Sequence, residues 1–174
     1  MDNSRGFTLI ELIVVLAVLA LFVTEAVPGF RRLIAHERRS SAVLSLVRAL
    51  RFARGHAISS NRYIAVCKSM DGAHCGGTGV HWDDGWIVFA NDDRDSPPQL
   101  DDDEMLLRRH PSLADPIMLT ANRGGFNFRP RSINSTAGSL FVCAQDQPGE
   151  AVIVSVTGRV RVSPDYDGAP VDCN

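Results

Sequence analysis

Two arginines one residue apart near the C-terminal end, Arg159 and Arg161, have the type and spacing to do chemistry. They follow Thr157-Gly158, a candidate two-residue hairpin turn between two alternating apolar runs. On a strand, Val160 and Val162 would face the core. Arg159 and Arg161 would then share the opposite face, roughly 6.6 Å apart along the chain. Two guanidiniums side by side suit bidentate contacts to phosphate. A solvated strand edge, where arginine discourages unwanted pairing, accounts for the same residues. Arg123, Arg129 and Arg131 extend the patch if the fold brings them near.

A second candidate is Glu11, a carboxylate near the start of an apolar run from Phe7 to Val27. Those 21 residues would span roughly 30 Å as a helix, the thickness of a bilayer core. A lone carboxylate there is costly unless something pairs with it. Glu11 either has a partner or reaches the interface from its place near the helix end. The run ends in Thr24-Glu25-Ala26-Val27-Pro28 without a small-x-small cleavage site, so it reads as a retained anchor rather than a secretory signal.

The four cysteines, Cys67, Cys75, Cys143 and Cys173, form no Cys-x-x-Cys pair and have no zinc-like histidine spacing. An even count in a membrane-crossing chain suggests disulfides made in an oxidising compartment; reduced structural thiols are the alternative. Of three connectivities, Cys67–Cys75 and Cys143–Cys173 are expected: the first pair is close in sequence, and the second ties down the tail. The acidic stretch from Asp92 to Glu104 fits no EF-hand loop and reads as a solvated loop. The scattered histidines show no catalytic pattern, and no nucleophile elbow or phosphate-cradling glycine loop is present. The chain reads as a non-enzyme with no cofactor and no metal.

These groups must be positioned by one long helix and a strand-rich region. After Pro28 the helix is expected to continue to about Ser60. Phe30, Leu33, Ile34, Val43, Leu46, Val47, Leu50, Ala53, Ala57 and Ile58 recur at three-to-four spacing, with arginines on a solvated face between them. Asn61 is the expected stop. Strands are expected at 63–67, 86–90, 105–107, 117–119, 126–128, 140–143, 151–156 and 159–162, separated by turn-rich segments. Trp82 and Trp86 read as anchors of core or loop.

The net charge of -2 argues against a generally basic nucleic-acid binder, but it conceals segregation. Arg31 to Arg62 holds eight arginines and one acid, Glu37. Asp71 to Asp115 holds eleven acids against three arginines, and Arg123 to Arg161 is basic again. DNA, if bound, is confined to the arginine-rich surface.

The segment Gly6-Phe7-Thr8-Leu9-Ile10-Glu11, followed by Leu12-Ile13-Val14-Val15, resembles the prepilin cleavage and methylation motif. That resemblance implies cleavage by a membrane peptidase after Gly6 and N-methylation of Phe7. It also implies that Glu11 pairs with the freed amino group of a neighbouring subunit, which would offset the desolvation of both charges. Pro28 falls where such proteins carry a helix-kinking proline.

The head resembles the GspH/FimT group of type IV minor pilins and pseudopilins. The resemblance rests on Arg54-Gly55-His56-Ala57-Ile58, on Val66-Cys67-Lys68-Ser69 with Cys75, on Gly85-Trp86-Ile87-Val88-Phe89, and on Ser155 to Arg161. It implies an α+β type IV pilin fold: a long N-terminal hydrophobic helix packed on a β-rich globular head. The expected divisions are a leader at 1–6, a transmembrane and filament-core helix at 7–28, and a periplasmic head at 29–174. The head would comprise an amphipathic helix at 29–60 and a β-rich region at 61–174. The implied partners are other pilins in a filament, a prepilin peptidase and the bacterial inner membrane. In the T-type minor pilins a Gly-Arg-x-Arg element is associated with DNA capture for transformation, and Gly158, Arg159, Val160 and Arg161 match it. The rival is an H-type pseudopilin of type II secretion with a purely structural role.

Overall fold

The computed structural model describes residues 8–131, 134–144 and 149–164. They hold α1 (Leu9–Ser60) and the strands β1 (Ile64–Lys68), β2 (Trp86–Ala90), β3 (Leu106–His110), β4 (Ile117–Ala121), β5 (Gly125–Phe128), β6 (Gly138–Ala144), β7 (Glu150–Val154) and β8 (Val160–Ser163). The chain divides into two compact units, Met1–Ile34 and Ala35–Asn174.

The first unit is helical from Leu9 onward, and α1 is continuous through Pro28. Its leucines, isoleucines and valines are exposed all around the helix. Mean hydropathy over its most apolar 18-residue window is 2.5, so the segment is long and apolar enough to cross a membrane. A helix apolar on every side, with none of that window buried, has its natural solvent in lipid or in a bundle of like helices.

The second unit owns the core. Val43, Leu46, Val47, Leu50, Ala53 and Ala57 are buried at the expected spacing. They meet Ile64, Val66, Trp86 and Val88 of one sheet and Leu119, Leu140, Val142 and Val152 of the other. Ile58 is exposed, because at 100° per residue it lies well off the stripe that Ala57 completes. Arg39 departs from the expected solvated face: it is 6% exposed and pairs with Glu150 at 3.2 Å. Asn61 ends the helix with φ 54°, the left-handed conformation that asparagine tolerates.

All neighbouring strands are antiparallel, in two four-stranded sheets ordered β3-β2-β1-β5 and β4-β6-β7-β8. β3 reaches His110, so Arg108 and Arg109, expected beyond its end, lie in a strand. The outer face of the first sheet has its own small core of Ala65, Cys67, Ile87 and Phe89, covered by Cys75, Leu100 and Leu106. The Cys67–Cys75 disulfide ties the covering loop to β1, and Gly76 N–H donates to the Lys68 carbonyl at 2.7 Å beside it. Cys143 is also disulfide-bonded, whereas Cys173 lies outside the described residues. Replacing Cys67 and Cys75 together by alanine is expected to cost about 2–3 kcal/mol, the chain entropy released by so short a loop. Thermal unfolding in detergent measures this, and an unchanged Tm refutes it.

Candidate functional site

At the N-terminal end, Thr8 caps α1. Glu11 N–H donates to Thr8 Oγ1 at 3.3 Å, and Leu12 N–H donates to the Thr8 carbonyl at 3.2 Å. Thr8-Leu9-Ile10-Glu11 thus follows the Thr-x-x-Glu pattern that starts helices, a signal present in the sequence but outside the reading above. The cap holds the Glu11 carboxylate in the first turn, where the positive end of the helix dipole favours an anion. Gly6 and Phe7 lie outside the described residues.

The basic element near the C-terminus is built by a turn. The last β7–β8 pair is Val154 with Val160. Beyond it Ser155 N–H donates to the Arg159 carbonyl at 3.0 Å, and Gly158 N–H donates to the Ser155 carbonyl at 2.8 Å. The loop is therefore Val156-Thr157-Gly158, three residues rather than the expected two, with glycine at the left-handed position (φ 71°). Arg159 precedes β8 instead of lying in it, and its N–H donates to Ser155 Oγ at 3.1 Å.

The alternation survives: Val160 is buried while Arg159 and Arg161 are exposed on either side of it. Val162, expected in the core, is 40% exposed: β8 is the edge strand of its sheet, and among the described residues the core ends at Val160. Neither Arg159 nor Arg161 has a carboxylate within 4 Å among the described residues.

Gly158 is buried against Phe128, Ser135 and the Cδ of Arg54, so the last turns of α1 supply a third guanidinium stem to the turn. Ser135 N–H donates to the Val156 carbonyl at 2.8 Å, fixing the loop from the other side. Arg129 follows Phe128 directly, and Arg129 and Arg131 lie beside Tyr63 at this same end of β5. Arg123 does not join them. It precedes β5, its carbonyl accepts from Trp82 Nε1 at 3.0 Å, and it lines a separate cavity with Lys68. The helix arginines Arg48, Arg51 and Arg54 are candidates from sequence as an alternative patch. That Arg54 lies against the turn itself follows only from tertiary packing, since no local pattern links it to residues about a hundred positions on.

The acidic stretch organises itself. Arg62 grips the Asp92 carboxylate with Nε and Nη2, and this hydrogen bonding holds Asp92 below its ordinary pKa. Glu104 accepts from the N–H groups of Asp92 and Asp101, while burial pushes its pKa upward. Among the described residues no group of three or more His, Cys, Asp and Glu is placed to share a metal ion.

The family model described as type II transport protein GspH matches residues 42–158, and that of the prokaryotic N-terminal methylation motif matches residues 1–24. Among solved structures, the type IV minor pilin FimU of Pseudomonas aeruginosa is similar with a TM-score of 0.56 at 19% identity. The match covers 74% of this chain and 90% of that one. The minor pseudopilin EpsH of the Vibrio cholerae type 2 secretion system is similar with a TM-score of 0.50 at 13% identity, covering 72% and 96%. No curated protein sequence gave a match. A methylation motif at the start of an apolar helix, followed by a GspH head over most of the remaining chain, leaves one conclusion: the chain belongs to the GspH/FimT family of type IV minor pilins and pseudopilins.

Proposed function

We propose that this chain is a minor pilin of a type IV pilus, anchored in the inner membrane with its head in the periplasm until assembly, and that it takes up DNA through its C-terminal basic turn. A peptidase cuts after Gly6, Phe7 becomes the methylated first residue, and the Glu11 carboxylate receives the amino group of the next subunit. The observation that carries the DNA reading is the turn itself. Arg159 directly follows a loop locked by Gly158 and Arg161 lies at the start of β8, both exposed and without carboxylate partners among the described residues, with Arg54 beneath the glycine. Guanidiniums held in that way can fork onto successive phosphates without reading sequence.

The test is binding of duplex DNA to the full chain in detergent micelles across a salt series. Replacing both Arg159 and Arg161 by glutamine is expected to weaken binding and to lower the log–log salt slope by about two units, one per lost phosphate contact. Stability should shift by no more than about 0.5 kcal/mol per surface change. An unmodified chain with no affinity at low salt defeats the DNA reading. The second reading, a structural pseudopilin of type II secretion, then stands, and the GspH family description favours it.

A further inference from the structure

We propose that the cavity beside Tyr63 is a binding site for a phosphate-bearing anion, separate from the Arg159–Arg161 turn. The cavity, of about 390 Å³, opens where α1 ends, and its lining includes Arg62, Tyr63, Asp92, Arg94 and Arg131. Arg94 lies over the Tyr63 ring at 4.7 Å from the centroid, and the Arg129 guanidinium is 5.8 Å from the same centroid. One half-buried aromatic ring thus gathers two guanidiniums, with a third, Arg131, on the cavity wall.

None of these three arginines has a carboxylate within 4 Å among the described residues. The one carboxylate on the lining, Asp92, is already gripped through both oxygens by Arg62. On the lining, Arg62, Arg94 and Arg131 stand against Asp92, an excess of two cations in a concave site, with Arg129 beside the same ring. A cation on a ring face still presents its N–H edge, so the tyrosine restrains the fork without consuming its donors.

The backbone supports the same conclusion. Arg94 has φ 66°, a left-handed conformation that costs a non-glycine residue free energy. The acidic segment around it would place it elsewhere by simple attraction, yet it sits on Tyr63 rather than on Asp93 or Asp95. The chemistry that uses several forked donors at once is a phosphate group with multiple anionic oxygens. The inference does not depend on DNA capture by Arg159 and Arg161, which lie at and just before the start of β8.

The test titrates the full chain in detergent with inorganic tripolyphosphate at low salt and follows binding calorimetrically. Saturable binding is expected, weakened about tenfold by Arg94→Gln and again by Arg131→Gln, since each removes a charge-assisted contact. Tyr63→Leu should weaken binding about threefold, and Tyr63→Phe, which keeps the ring face, should restore it. The double glutamine variant of Arg159 and Arg161 should bind tripolyphosphate as the unmodified chain does. Competition by a short oligonucleotide would identify nucleic acid as the source of the phosphate, and its failure to compete would identify a small phosphate ion. Absence of saturable binding overturns the proposal. So does equal weakening by the Arg159 and Arg161 changes, because that is the behaviour of a diffuse positive field and not of a site.

Discussion

Glu11→Ala is expected to insert into the membrane as well as the unmodified chain and yet to be excluded from filaments. Insertion depends on an apolar segment whose mean hydropathy reaches 2.5, and removing a carboxylate from such a segment only favours lipid. Assembly is different. On the proposed pairing, cleavage leaves a cation at Phe7, and that amine must be buried among apolar helices when the next subunit docks. Without the Glu11 carboxylate it is buried unpaired, at a cost of about 3–5 kcal/mol, which corresponds to a drop of more than a hundredfold in incorporation.

Two further variants separate charge from helix initiation. Glu11→Gln keeps a first-turn residue of similar size but not the charge, and should fail as the alanine variant does. Thr8→Ala removes the hydroxyl that accepts from Glu11 N–H, should cost about 1 kcal/mol of helix stability, and should still assemble. Membrane fractionation and immunodetection of sheared filaments, in cells lacking an unmodified copy, read both steps. Normal incorporation of Glu11→Ala would remove the pairing role.

What the sequence revealed, and what it concealed, follows from the range of the interactions involved. The strands at Trp86–Ala90 and Gly138–Ala144 were visible because β-branched and aromatic residues lie in short runs between turn residues, and every residue from Trp86 to Ala90 is buried. The sequence pattern ends β3 early because Leu106-Leu107-Arg108-Arg109-His110 turns polar halfway, as an edge strand can: among the described residues no strand pairs with its outer side. Ile58 and Val162 were placed inside by local periodicity, but the core ends before it reaches them. The cavity beside Tyr63 was invisible for another reason. Arg94 belongs by sequence to an acidic run, and only tertiary folding carries its guanidinium across to a tyrosine thirty-one positions earlier. Cys67 and Cys75, eight apart, could be paired by proximity alone, and they are bonded.

Gly158 is expected to be the most sensitive single position in the basic turn, for reasons of backbone and space together. Its φ of 71° is a conformation in which an L-residue pays about 1–2 kcal/mol. A Cβ at this place would also stand 3.1 Å from Ser135 Oγ and 3.2 Å from a ring carbon of Phe128. Phe128 is 1% exposed and Ser135 6%, so neither has free space to move into, whereas the Arg54 stem at 3.5 Å can swing aside. Gly158→Ala should therefore cost about 2 kcal/mol, seen as a Tm lower by about 6–10 °C for a head of this size. Gly158→Val should cost more, because its branched carbons add to the crowding. Gly158→Asn distinguishes the two causes: asparagine tolerates the left-handed conformation but still brings a Cβ. If backbone strain dominates, asparagine will be milder than alanine; if crowding dominates, it will be at least as severe. DNA affinity should fall with the alanine variant even under conditions where it remains folded, since the loop that aims Arg159 has shifted while both charges are retained. A valine variant that melts and binds like the unmodified chain would show that the turn has neither the strain nor the close packing described, and that its glycine is incidental to the arginines beside it.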